Sequence, residues 1–289
     1  MSGWFEDGGL KWRPRTPFGV EVDHDLSSPL SAAAAAQFVK LFRTLGMIVA
    51  TGQALSMEQQ IALLSHLGKV QRSPDGTTYI SSEQGGDAAR LEYTFHADYA
   101  FTHHPLDALS LHAVDVVDGA SSTRFANAER AYATLPVALR DELARHTVEM
   151  ISPTFDACAT RGYEIRDPKY LHRESRPTVL ANSRSGRNCI GVGEMHSTQL
   201  SGLSWEESGK LLREVFAHLC APENITEHVW RRGDIVIWDK ITFQHARGSI
   251  EGVGRRVLQR VGVGEKSLWE MNPAAVTGDL AQAEALRAH

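Results

Sequence analysis

The chain has 289 residues, of which 42% are hydrophobic and 22% charged, an ordinary balance that supplies a sizeable core and excludes an intrinsically disordered chain. A formal net charge of −5 excludes a global basic footprint for nucleic acid. Cys158, Cys189 and Cys220 form no C-x-x-C pair, which speaks against a disulfide framework or a zinc knuckle and leaves histidine, with 13 residues, as the better-supplied metal ligand.

From the N-terminus, Met1 to Trp12 carries Glu6, Asp7 and three glycines. It has no basic segment followed by an apolar run, so no signal peptide is expected. No window reaches the roughly 18 apolar residues of a membrane span. The expectation is a soluble, cytoplasmic protein with no membrane partner. Ser31 to Leu45 places Phe38, Leu41, Phe42 and Leu45 at helical spacing and predicts an amphipathic helix. Met47 to Ala50, short and bounded by Gly46 and Gly52, predicts a buried strand. Ser56 to Leu67 opens on a serine cap with Glu58 in its first turn and predicts a second helix. Ser73 to Arg90, rich in Ser, Gly, Asp and Thr, predicts a long loop.

Leu91 to Tyr99 and Ala108 to Val117 are expected as strands. Ala128 to Met150 is expected as helix around Pro136, and Trp205 to Leu219 as an amphipathic helix. Ile235 to Trp238 and Val257 to Val263 are strands by composition. Strands flank a helical middle without βαβ alternation, which argues for a mainly antiparallel sheet structure with attached helices. There is no internal repeat or long linker, so residues 1–289 are expected to form a single domain.

Within Phe95-His96-Ala97-Asp98, a histidine and an aspartate stand two apart. On a strand such residues project from one face, as a facial metal site requires: protein ligands on one side and open positions opposite. The H-x-D pattern recurs by chance, so a third ligand from a distant strand is needed. His245, at the end of an apolar run that includes Trp238-Asp239, is the best candidate. Arg255, Arg256 and Arg260 follow it. Arg256 and Arg260 share a strand face in this register, and two arginines on an apolar strand are costly unless they meet anions. Residues 231–260 hold seven Lys/Arg against three Asp/Glu, a local excess suited to a small dianion.

These intervals resemble the taurine/2,4-dichlorophenoxyacetate type of Fe(II)- and 2-oxoglutarate-dependent dioxygenases. The resemblance runs over most of the chain. It includes Phe95-His96-Ala97-Asp98-Tyr99-Ala100-Phe101, Gly119 to Thr123, Ser185-Gly186-Arg187 and the stretch from Trp238 through His245 to Arg256 and Arg260. It implies a double-stranded β-helix, a jelly roll that is mainly β with surrounding helices. It implies that His96, Asp98 and His245 hold Fe(II). It implies that 2-oxoglutarate chelates the iron, with its far carboxylate paired to Arg256 and hydrogen-bonded by Thr123, and with Arg260 near its other carboxylate or near an anionic substrate. Tyr99 and Phe101 are the implied substrate contacts, with a core role the alternative for Phe101. The implied reaction uses O2 to hydroxylate or otherwise oxidise a C–H bond of a small molecule, releasing succinate and CO2. Relatives form dimers or tetramers, so a homo-oligomer stays open.

The chain departs from the pattern in places. Lys240 stands where relatives carry Asn after Trp-Asp, and Gln71, Arg72 and Ser73 supply no histidine where taurine-using members bind the sulfonate, which speaks against taurine. Asp98 is itself informative, because halogenating relatives replace this carboxylate with a small residue. His103 and His104 are adjacent and cannot both join His96, so they and His112, His172 and His196 are expected to be structural or solvated. The cysteines are expected as buried small hydrophobes. A non-catalytic jelly-roll sensor or carrier that binds metal or a carboxylate is the alternative function.

Overall fold

The structure is a computed structural model that describes residues 3–72, 77–82, 92–151 and 173–271. The chain runs through β1 (Phe5–Asp7), β2 (Leu10–Pro14), β3 (Val20–Asp23), α1 (Ala32–Leu45), β4 (Met47–Ala50), α2 (Met57–Ser65), β5 (Thr77–Ser81), β6 (Tyr93–His96), β7 (Ala108–Val116) and β8 (Ser122–Asn127). It continues through α3 (Ala128–Thr134), α4 (Val137–Leu143), β9 (Thr147–Ile151), β10 (Arg173–Pro177), β11 (Val179–Ala181), β12 (Asn188–Ile190), β13 (Ser197–Leu200), α5 (Trp205–Leu219), β14 (Ile225–Val229), β15 (Ile235–Asp239), β16 (Phe243–Arg247) and β17 (Arg256–Val263).

Two sheets build the frame. The larger has the order β1-β2-β3-β4-β15-β7-β17-β5, the smaller β14-β8-β16-β6. Among the described residues every pairing is antiparallel except β3 with β4. The alternation of side chains across a strand explains how the sheets are covered. In β15, Val236 and Trp238 join the core shared with Phe125, Phe243 and Ala246 of the smaller sheet. Ile235 and Ile237 point the other way, into a second core with Phe38 and Phe42 of α1 and Ile61 and Leu64 of α2. All four β15 residues are fully buried, which is why the run reads as continuously apolar. The result is the expected jelly-roll arrangement, with helices outside.

The helix boundaries follow local chemistry. Ser31 caps α1 by accepting from the Ala34 N–H, and reciprocal capping boxes start α2 at Ser56/Gln59 and α5 at Ser204/Glu207. α1 stops at Gly46, whose φ of 71° is left-handed. A Cβ there would lie 2.8 Å from the Phe243 ring, so glycine is needed for both conformation and space.

Three expectations are corrected. β5 crosses the predicted Ser73–Arg90 loop, because Thr77 to Ile80 pair with β17; the rest of that loop lies outside the described residues. The Ala128–Met150 helix breaks into α3 and α4 at Pro136, and its last residues become β9, which pairs with β10 and β13. The strand expected to reach Tyr99 ends at His96, and Asp98 sits in a turn. Among the described residues, no helix is long and apolar enough to cross a membrane.

Asp239, at the end of β15, ties the frame to the loop before β16. Its buried carboxylate accepts from Arg184 Nε at 3.0 Å and Nη2 at 2.7 Å, and from the Ile241 N–H at 2.8 Å. Breaking a buried pair from one side costs about 3–5 kcal/mol. Asp239→Ala is therefore expected to lower the urea midpoint by that equivalent, and an unchanged midpoint would refute the assignment.

Candidate metal and carboxylate site

The smaller sheet and β17 of the larger one enclose a cavity of about 280 Å³. Its wall includes His96, Asp98, His245, Thr123, Arg256 and Arg260, so six positions spread over 165 residues of sequence converge. His96 on β6 and His245 on β16 are direct cross-strand partners, with ring centroids 4.2 Å apart. Thr123 comes from β8, the next strand over. Arg256 and Arg260 enter from β17, four residues apart and on one face, as the strand register predicts.

Asp98 gets there differently from the expectation. It lies in a turn closed by the Ala100 N–H donating to the Ala97 carbonyl at 3.3 Å, and the next turn is closed by Thr102, whose N–H and hydroxyl both donate to the Tyr99 carbonyl, at 3.0 and 2.8 Å. Tyr99 adopts φ 59°, a left-handed conformation that costs a non-glycine residue about 1–2 kcal/mol. The turn holds it there and swings Asp98 back toward His96. One donor atom from each of His96, Asp98 and His245 lies within 4.8 Å of the others.

Protonation suits metal binding. The His96 Nδ1 lies 2.8 Å from the Thr94 carbonyl. A carbonyl only accepts, so the proton sits on Nδ1 and leaves Nε2 unprotonated. Burial drives the His96 pKa down to about 4, against the attraction of Asp98, and burial likewise holds His245 well below the usual histidine range. For Asp98, burial pushes upward, but the Lys240 ammonium, with His245 and the Arg260 guanidinium also beside it, outweighs it and keeps the carboxyl well below its ordinary value. Two neutral imidazoles and an ionised carboxylate therefore share one point. That donor set, with open positions facing a cavity, fits Fe(II).

The far end of the cavity fits a carboxylate. Arg256 is 2% exposed, and its Nε and Nη1 have no hydrogen-bond partner. Burial, with Arg247 nearby, lowers its pKa to about 9. Native structures rarely strand buried donors this way, so they mark a ligand position. Thr123, 2% exposed, accepts from the Trp230 indole at 3.0 Å, which leaves its own hydroxyl hydrogen to donate. Arg260 differs: its Nη2 lies 3.5 Å from Asp98 Oδ1 and its guanidinium 5.8 Å from the Tyr99 ring centroid.

Neither Tyr99 nor Phe101 is on the cavity wall. Tyr99 reaches it through Arg260, and Phe101 packs edge-on against His196 at 5.0 Å, the core role held open for it. Sequence reading passed over Arg247, two residues beyond His245 and also on the wall; the i, i+2 rule used for the ligands would have found it. His103 and His104 pair with Glu174 and Glu265 away from the site. Cys189 is buried and Cys220 partly so, while His172 and Cys158 lie outside the described residues. A larger groove of about 670 Å³ runs past Arg15, Arg43 and Arg187, with none of the site residues in it.

His196 is 3% exposed, and burial lowers its pKa to about 3. An unfolded chain protonates histidine below about 6.5. Stability from the neutral, buried His96 and His196 is therefore complete above that value and is lost as pH falls toward about 4 and about 3. Each histidine contributes a slope of about 1.4 kcal/mol per pH unit at most. Urea midpoints of the metal-free protein should fall steadily between pH 6.5 and 4, and a flat profile would contradict the burial of these neutral rings.

Comparison with known proteins agrees with this geometry. The profile of the family described as "Taurine catabolism dioxygenase TauD, TfdA family" matches residues 11–261. The chain is 27% identical over 272 residues to the alpha-ketoglutarate-dependent 2,4-dichlorophenoxyacetate dioxygenase of Cupriavidus pinatubonensis, covering 84% of this chain and 92% of that one. It is 26% identical over 257 residues to the alpha-ketoglutarate-dependent sulfate ester dioxygenase of Pseudomonas putida, covering 84% and 83%. A taurine dioxygenase structure from Burkholderia xenovorans superposes with a TM-score of 0.75 over 89% of this chain and 91% of that one, at 19% identity, which establishes a shared fold. With a profile match over residues 11–261, which takes in all six convergent positions, the chain belongs to the TauD/TfdA family of dioxygenases.

Proposed function

We propose that this protein is an Fe(II)- and 2-oxoglutarate-dependent oxygenase that oxidises a C–H bond of a small anionic substrate, and that His96, Asp98 and His245 hold the metal. The observation that carries the residue assignment is the stranded guanidinium of Arg256 in the same cavity as the three converging ligand atoms. A carrier or sensor would need the ligand set or the arginine. The family is one of enzymes, and an oxygenase needs both.

His96, Asp98 and His245 would hold the Fe(II), which when bound would supply the oxygen activation. The chain's own residues do the rest. Arg256 pairs with the far carboxylate of 2-oxoglutarate and Thr123 donates to it, so the cosubstrate enters in one orientation. The walls formed by Ile80, Leu109 and Leu111 exclude water and strengthen these charged contacts. Lys240, with Arg260 as a smaller contributor, keeps the Asp98 carboxylate ionised, and Arg260 presents a cation beside Tyr99. The named relatives act on an aryloxy acid and on sulfate esters, which supports an anionic group on the substrate here.

Residues 1–289 are read as one catalytic domain, since the cavity draws on strands from β6 to β17. Free Cys189 and Cys220 fit a cytoplasmic location. The test is anaerobic addition of Fe(II) and 2-oxoglutarate, which is expected to raise a weak visible charge-transfer band. Succinate release across sulfonates, sulfate esters, aryloxy acids and amino-acid derivatives then identifies the substrate. Absence of both the band and any 2-oxoglutarate turnover refutes the proposal.

A further inference from the structure

Lys240 is the position where the chain departs from the family's Trp-Asp-Asn pattern, and it is a buried cation in contact with the ligand set. Its side chain is 1% exposed. Its Nζ lies 2.5 Å from Asp98 Oδ2 and 3.1 Å from His245 Nδ1. The backbone at this position is pinned, since the Lys240 N–H donates to the Asp107 carbonyl at 3.1 Å and Asp239 beside it is held by Arg184. Nζ also sits 5.6 Å from the Trp238 ring centroid. An ammonium in such a place persists only when paired, and its partner is the metal-ligand carboxylate.

The direction of approach matters. Asp98 forms part of the wall between two cavities. Arg256, Arg260 and Thr123 line one of them. The other, of about 210 Å³, is lined by Ala97, Ile241, Gln244 and Lys240. Lys240 meets Asp98 at Oδ2, the oxygen that also lies 3.8 Å from His245 Nδ1. Oδ2 is taken by Lys240, while Oδ1 is the oxygen nearest Arg260 in the iron cavity.

We propose that Lys240 is a positioning residue that takes the Oδ2 of Asp98 and so limits this carboxylate to ligation through Oδ1. The proposal rests on the assignment of His96, Asp98 and His245 as metal ligands. A carboxylate with both oxygens free binds a metal through one or both. With Oδ2 engaged in a charge-assisted hydrogen bond, Asp98 offers a single donor. The three side chains then occupy three positions and leave three for the cosubstrate and O2. The same contact sets the carboxylate plane, which outer partners of metal ligands commonly do.

The test uses Co(II), which is stable in air, as the probe metal on the full-length chain. Calorimetry measures its dissociation constant, and visible absorption reports coordination number. Wild type and His96→Ala are compared first. If both bind Co(II) equally, the ligand assignment itself fails, and the role of Lys240 fails with it. Given a functioning ligand set, Lys240→Gln is expected to weaken Co(II) by about 10–100-fold, the usual cost of removing an outer partner. Its absorption should weaken as Asp98 shifts toward two-oxygen ligation. Lys240→Arg, which keeps charge and donors, should restore most of both. Thermal melts of the metal-free variants check folding, and Lys240→Asn replaces the glutamine variant if that one does not fold. An affinity and spectrum unchanged in the variants would reduce Lys240 to packing. Tighter binding without Lys240 would make it a competitor of the metal. Either result overturns the proposal.

Discussion

His96→Ala is expected to abolish stoichiometric Fe(II) binding and, with it, all 2-oxoglutarate turnover. Its imidazole is one of three donors within 4.8 Å of one another, it is held neutral by burial, and its orientation is set by the hydrogen bond to the Thr94 carbonyl. Loss of a direct ligand should exceed the ~10–100-fold that loss of an outer partner costs. The substitution also strands the Thr94 carbonyl and removes a ring whose centroid lies 4.2 Å from that of His245. A destabilisation of about 1–3 kcal/mol is expected from that alone, so metal content must be measured at a temperature where the variant is folded. Unchanged iron stoichiometry in a folded variant would remove His96 from the ligand set.

The second large effect concerns Arg256 and has two signs. Arg256→Ala is expected to weaken 2-oxoglutarate by about 2–5 kcal/mol, roughly 30- to 4,000-fold, while iron affinity changes little, because the guanidinium touches none of the three ligands. Arg256→Lys should recover only part, since an ammonium keeps the charge but not the fork that fits a carboxylate. Stability should move the other way. In the ligand-free protein, the Nε and Nη1 of Arg256 are buried without partners, a cost of about 1–3 kcal/mol per stranded group. Arg256→Met, which fills similar volume, is therefore expected to raise the melting temperature of the ligand-free protein while destroying cosubstrate binding. A residue kept for structure would give the reverse: a lowered melting temperature and unaltered 2-oxoglutarate affinity. Equal loss of iron and 2-oxoglutarate affinity would also argue against the assignment.

Much of the fold was legible because local pattern and tertiary environment agree. α1, α2 and α5 carry their caps in sequence, and β15 reads as apolar because both faces of its sheet are covered. The misreadings occur where a distant partner overrides local composition. Thr77 to Ile80 look like loop until β17 supplies a ladder. The end of the expected Ala128–Met150 helix becomes a strand because β10 and β13 flank it.

The site divides along the same line. Five of its six residues could be picked out by chemical type and interval, since histidines, a carboxylate and spaced arginines are rare companions on apolar strands, while Thr123 came from the family resemblance. How they meet was not in the intervals. Asp98 reaches the two histidines through a strained turn at Tyr99, not along a strand face, because hydrogen bonds from Thr102 and contact with Arg260 hold a conformation that tyrosine does not choose alone.

The amino-acid sequence by itself determined a mainly antiparallel sheet with attached helices, by residue type and periodicity, and its resemblance to a known family supplied the jelly-roll class, the candidate histidine–carboxylate–histidine set and the carboxylate-binding role expected of Arg256. Only the tertiary structure decided that Arg256 is stranded, that Phe101 belongs to the core, and that Lys240 contacts both Asp98 and His245. The physical reason is that solvation and pairing depend on what the remainder of the chain brings within a few ångströms. A lysine after Trp-Asp reads as a surface charge until β6, β15 and β16 close around it.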